Sequence, residues 1–143
     1  MNCKITEGEA EIAYHLAQLI PEFSDPLPRA KFDNRLNQTD SMILVVYLDG
    51  QPVGFKIGYH RNGEYYSWLG AILPAFRMIG LAKILAFEME KRALTMGYQT
   101  IWMKTRNRYK GMLLFAIRNG FQIVDIEKAD RLDQYRIILE KKL

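Results

Sequence analysis

Between Met42 and Ile72 the apolar residues come in three runs of strand length, "SMILVVYL", "QPVGFKIGY" and "EYYSWLGAIL". Asp49-Gly50 and then Arg61-Asn62-Gly63 separate them, and these residue types suit tight hairpin turns. The pattern predicts an antiparallel meander of three strands. In the third strand, a period of two puts Tyr66, Trp68, Gly70 and Ile72 on one face and Tyr65, Ser67 and Leu69 on the other. After Pro74 the period changes. Leu81, Ala82, Leu85, Ala86, Met89, Ala93 and Met96 share one side of a helical wheel, while Lys83, Glu90 and Lys91 fall opposite. That is a helix packing one face on a sheet, with Gly97 as its left-handed stop.

The flanks read the same way. "CKIT" is a short first strand, and "EAEIAYHLAQL" has helical spacing through Ile12, Leu16 and Leu19 up to Pro21. A second short helix is predicted within "DPLPRAKFDNRL", starting near Pro28. "QTIWMKT" alternates as a strand, "YKGMLLFAIRN" is a helix ended by Gly120, and "FQIVDI" and "YRIILE" are two last strands. The order βααβββαβαββ implies an α/β fold with a mixed central sheet flanked by helices. No repeat or linker interrupts it, so residues 1–143 are expected to form one domain.

Composition narrows the function classes. No window approaches the roughly 20 apolar residues of a membrane span. The start, "MNCKITEGEA", lacks the apolar core of a signal peptide, so a cytoplasmic location is expected. Cys3 stands alone and reads as an ordinary thiol, and no His/Cys/Asp/Glu spacing suggests a metal site. The net charge of +4 suits an anionic ligand but is modest for a nucleic-acid binder. Only "KTRNRYK", Lys104 to Lys110, concentrates basic residues, either as a solvated loop or as one wall of an anion site.

The chemistry concentrates between strand and helix, at "ILPAFRMIGLAK". A helix that starts straight after a strand presents amides with no intrahelical partner and the positive end of its dipole. Gly80 and Ala82 keep the approach open, and Arg77 offers a charged fork suited to phosphate oxygens. Neither GxxxxGK[ST] nor GxGxxG is present. What is present is Arg77-x-x-Gly80-x-Ala82 after Ile72-Leu73-Pro74, and later "NRYKGMLLFAIRNGF" ending in Gly120-Phe121. Together with the element order, these resemble the GNAT acetyltransferase superfamily over nearly the whole chain.

The resemblance implies acetyl-CoA as co-substrate. Its diphosphate would rest on the backbone amides of Met78, Ile79, Gly80, Leu81, Ala82 and Lys83. Its pantetheine arm would pair like an extra strand with Ile72 and Leu73, between the fourth and fifth strands, and the Ile72 amide would face the acetyl carbonyl. The expected reaction is acetyl transfer to a primary amine of a small molecule or peptide by direct attack. The alternative is a non-catalytic acyl-CoA sensor of the same fold. In many members a tyrosine four residues before the Gly of Gly-Phe protonates the thiolate; here that position is Ala116. Tyr109, two turns earlier, borders the expected cofactor path but lies about 10 Å along the axis. Asn107 stands near the asparagine that often touches pantetheine, about two residues out of register, and a helix cap is the other reading. Tyr66 or Glu64 could act as base through water, each with a plain structural alternative as packed ring or strand-end carboxylate. His15 and His60 enter only because histidine titrates near neutrality. The acceptor's identity stays open, as does a homodimer; no nucleic acid or membrane partner is expected.

Overall fold

Two-residue turns with left-handed backbone fold the meander: Asp49 and Gly50 at φ 50° and 85°, Asn62 and Gly63 at 54° and 80°. The computed structural model describes residues 2–23, 25 and 27–143; Met1, Ser24 and Pro26, the last two within the segment expected to lead into the second helix, lie outside the described residues. The elements run β1 (Cys3–Glu7), α1 (Ala10–Gln18), α2 (Arg29–Leu36), β2 (Met42–Leu48), β3 (Gln51–Arg61), β4 (Glu64–Ile72), α3 (Leu81–Thr95), β5 (Thr100–Arg106), α4 (Lys110–Arg118), β6 (Gln122–Glu127) and β7 (Arg136–Lys142). This is the expected order, with single 3₁₀ turns added at Pro74–Phe76 and Leu132–Gln134.

All seven strands join one sheet, ordered β1-β2-β3-β4-β5-β7-β6. Every neighbouring pair is antiparallel except β4 with β5. The crossover through α3 makes that parallel pair, as a βαβ connection must. Two cores result. On one face Leu44, Val46, Tyr65, Ile72, Ile101 and Met103 meet Leu81, Leu85 and Met89 of α3 and Ala116 of α4. On the other, Ile43, Val45, Phe55 and Ile57 meet Ala13, Leu16 and Ala17 of α1 and Phe32 of α2.

Three details depart from the periodic reading. Leu19 is half exposed, and Ile20, 4% exposed, takes its place in the core because α1 ends at Gln18 and the chain turns there. Met96 lies beyond the end of α3 and is likewise exposed. The third departure matters most. The β3–β4 register runs Ile57↔Leu69 and then Gly58↔Ser67, so Trp68 is an extra residue, a β-bulge. The bulge inverts the phase of β4. Tyr65 and Ser67 share the α3 face with Gly70 and Ile72, whereas Tyr66, Trp68, Leu69 and Ala71 face the α1/α2 side. Gly58 permits it: a Cβ there would stand 2.5 Å from the Tyr65 ring and 2.9 Å from the Tyr66 carbonyl oxygen.

Candidate functional site: a split in the sheet facing an uncapped helix

β4 and β5 pair over three residues only: Tyr65↔Ile101, Tyr66↔Trp102 and Ser67↔Met103. Past Ser67 the strands diverge, and the stretch from Trp68 to Ile72 keeps only its β3 neighbour. Leu73 N–H donates to the Val53 carbonyl at 2.8 Å on that paired side. By the alternation of an antiparallel ladder, the amides of Gly70 and Ile72 point the other way, into the wedge. A strand edge with free amides is a template for an extended, amide-bearing partner.

The wedge opens onto the start of α3. Met78 and Gly80 both adopt left-handed backbone, at φ 66° and 91°, which turns the chain into the helix without a capping side chain. Among the described residues, none of the amides of residues 78–83 donates to a protein acceptor. The apolar side chains of Met78 (99% exposed) and Ile79 point into solvent rather than over these amides. A Cβ on Gly80 would meet nothing within 4 Å, so the space before it is clear. The first turn carries no acidic residue, and Lys83 is exposed beside it. Bare amides and the dipole's positive end are the parts from which anion sites at helix starts are built.

Arg77 is placed differently from the reading as a free phosphate fork. Its Nη1 and Nη2 donate to Glu22 Oε2 and Oε1 at 2.6 and 3.0 Å, and its Nε donates to the Ile72 carbonyl at 2.9 Å. The hydrogen bonds from Arg77 hold the Glu22 carboxyl below the ordinary range. The fork thus anchors the α1–α2 loop to the end of β4. Tyr109 reaches the same loop, donating its hydroxyl to the Glu22 carbonyl at 3.2 Å.

The residues considered for catalysis do not converge on Ile72. Glu64 opens β4 eight residues away, about 26 Å along the strand, and cannot act there directly. Tyr66 is buried on the α1/α2 face, its ring stacked on Trp102 at 4.2 Å. Burial raises its hydroxyl above the ordinary tyrosine range, which makes it a poor base. Asn107 does not cap α4, since Tyr109 holds that position; its Nδ2 donates to the Leu132 carbonyl at 3.1 Å and ties two loops. Ala116 is buried and presents no hydroxyl, while Gly120, at φ 93°, ends α4 and lets Phe121 N–H donate back to the Ala116 carbonyl. His15 is exposed on the outer side of α1, and His60 Nδ1 lies 2.9 Å from the Tyr98 hydroxyl. Neither lies at the wedge.

Sequence reasoning passed over two residues. Glu22 lies 55 positions from its partner Arg77, and nothing local signals the pair. Lys56 stands opposite Gly70 on the α3 face of β3, where burial pushes its ammonium down to about 8 despite the nearby Glu90 carboxylate. No sequence signal marks it: Lys56 shares the strand phase of Gly54 and Gly58, opposite Phe55 and Ile57, and it is buried only because helices cover both faces of the sheet.

The model of the family described as "Acetyltransferase (GNAT) domain" matches residues 19–111. Among solved structures, the ribosomal-protein-S18-alanine N-acetyltransferase from Escherichia coli superposes with a TM-score of 0.84 at 18% identity, over 99% of this chain and 94% of that one. The PaiA N-acetyltransferase from Thermoplasma acidophilum, solved with coenzyme A, gives 0.79 at 16% identity over the full length of both chains. A GNAT family acetyltransferase from Elizabethkingia anophelis, solved with acetyl-CoA bound, gives 0.78 at 18% identity over 99% of each. With the family model covering more than half of its length and the same fold running from end to end, the chain belongs to the GNAT acetyltransferase family.

Proposed function

We propose that this chain transfers the acetyl group of acetyl-CoA to the primary amine of a small molecule or peptide by direct attack. The observation that carries this reading is the alignment of the unpaired β4 edge with the bare amides of α3. The amides of residues 78–83 hold the diphosphate, and the edge at Ile72 receives the pantetheine arm as an added strand. Ile72 N–H, with Gly70 N–H next inward, faces the thioester carbonyl and stabilises the oxyanion that develops there. The acceptor must arrive neutral, because free amines of pKa near 10 are mostly protonated at neutral pH. Its nitrogen forms the new C–N bond as the C–S bond breaks, the nitrogen gives its surplus proton to solvent, and the thiolate takes one from solvent because Ala116 offers none. The relatives solved with coenzyme A and acetyl-CoA support the choice of co-substrate.

Calorimetry with acetyl-CoA tests the binding step, and Gly80→Glu, which fills the anion site with a carboxylate, should abolish it. Thiol release followed over a panel of amines tests transfer. Binding without release from any amine class would favour the sensor reading, for which the loss of a hydroxyl at Ala116 is the specific observation.

A further inference from the structure

The α1/α2 face of the sheet, on the far side from α3, carries an arrangement that the cofactor does not use. Four rings form its floor. Tyr59 meets Tyr66 edge-on at 5.4 Å and Trp68 at 6.4 Å, and Tyr66 stacks on Trp102. Two guanidinium groups lie over it: Arg35 of α2 is 5.9 and 5.5 Å from the Tyr59 and Trp68 rings, and Arg61 is 5.3 and 5.7 Å from those of Tyr66 and Trp102. Arg136 of β7 lies on the same face of the sheet, because Ile137 and Leu139 of the alternate phase face α3; Glu140 shares that face level with Trp102. Among the described residues, Arg35, Arg61 and Arg136 take part in no ion pair, in contrast to Lys104, which Glu127 neutralises at 3.5 Å.

The Tyr66 side chain is the second observation. The residue is only 6% exposed, but its hydroxyl is not among the buried polar atoms: it keeps contact with solvent and has no protein hydrogen-bond partner among the described residues. An accessible phenol hydroxyl beside guanidinium groups that form no ion pair can donate to one kind of group above all, an oxyanion. Arg136 also walls an open cavity of about 260 Å³ with Arg106, Glu127, Lys128, Ala129 and Gln134, three cations to one carboxylate, which gives the rest of a ligand room. Tyr66 immediately precedes Ser67, where β4–β5 pairing ends and the wedge begins. It lies six residues, or about 20 Å, along β4 from Ile72, so an acceptor anchored here is an extended one whose amine reaches outward to the thioester.

We propose that the acetyl acceptor is an amine that also carries an oxyanion, carboxylate or phosphate, seated among Arg35, Arg61, Arg136 and the Tyr66 hydroxyl. This rests on the transferase reading above and narrows its substrate class. Guanidinium forks grip either anion in bidentate fashion, and the rings exclude water behind them.

The test compares matched acceptors: one primary amine bearing in turn a carboxylate, a phosphate, a neutral carboxamide and a second ammonium. The carboxylate or phosphate form should exceed the carboxamide at least tenfold in kcat/KM, and which anion leads identifies the source. Arg61→Gln and the exposed Arg136→Gln should each cost the anionic acceptor about tenfold, chiefly in KM, and leave the carboxamide within about twofold. A carboxamide or diamine that outperforms both anions would overturn the proposal. So would variants that slow all acceptors equally. Should no acceptor turn over, thermal shift decides: the anionic amines must raise the wild-type Tm more than the carboxamide does, and no such difference overturns the proposal. Acetyl-CoA calorimetry run alongside separates failure of this inference from failure of the transferase reading.

Discussion

The two sides of the split sheet are built from different materials. At the start of α3 the groups that face the ligand are backbone amides, and the side chains of Met78 and Ile79 turn away into solvent. On the α1/α2 face the backbone is hidden, and rings and guanidinium groups from α2, β3, β4, β5 and β7 make the surface. A backbone site depends on one local turn, so it tolerates nearly any side chain that leaves the approach open. A side-chain site depends on how five elements are registered, so one residue of slippage dismantles it.

The sharpest way to break the comparison is at the helix. Gly80→Glu should weaken acetyl-CoA binding at least 100-fold by calorimetry, while Met78→Ala, which changes a side chain at one of the same residues that points outward, should change it less than threefold. A large effect from Met78→Ala would mean that the site is not made of backbone. Next comes the bulge. Gly58→Ala drives a Cβ against the Tyr65 ring and the Tyr66 carbonyl, and should cost about 1–3 kcal/mol in denaturant melts. In the fraction that folds it should impair anionic acceptors more than acetyl-CoA binding, because the new Cβ strikes the Tyr65 ring and the Tyr66 backbone, whereas α3 meets it only through the flexible end of Met89, 3.1 Å away.

A smaller effect is expected at Lys56. The folded ammonium gives up its proton near 8, and the unfolded one near the ordinary 10.5, so the unfolded chain binds more protons between those values. Stability therefore rises with pH across that window. Lys56→Met should remove the rise and add roughly 1–2 kcal/mol at pH 7, since an apolar side chain of similar length replaces a buried charge. Denaturant melts of both proteins from pH 7 to 10 check this, and identical slopes would refute it. The smallest effect belongs to the loop anchor. Glu22→Gln leaves Arg77 charged but removes a carboxylate near the anion site, so acetyl-CoA should bind about twofold to fivefold tighter at low salt, with the gain fading as salt is added.

The same contrast explains what could be read without coordinates. Element order and the amide-lined turn were legible, because hydrophobic periods and an Arg-x-x-Gly-x-Ala stretch are local signals. The facing of β4 was not. A strict alternation puts Tyr66 with Ile72, and only the pairing of Gly58 with Ser67, next to Ile57 with Leu69, shows that Trp68 is an extra residue. Arg77 read as a phosphate ligand because its partner Glu22 is remote in sequence. The cluster around Tyr66 stayed invisible for the same reason: Arg35, Arg61 and Arg136 come from three separated segments, and each alone is an ordinary surface arginine.

One titration reaches the centre of the matter. Backbone amide resonances of isotope-labelled protein, followed as coenzyme A is added, should shift most at residues 78–83 and along the free edge from Trp68 to Leu73, with the β6 strand unmoved. Shifts confined to the α1/α2 face, or scattered over the basic surface with residues 78–83 silent, would contradict a diphosphate held by the opening amides of α3.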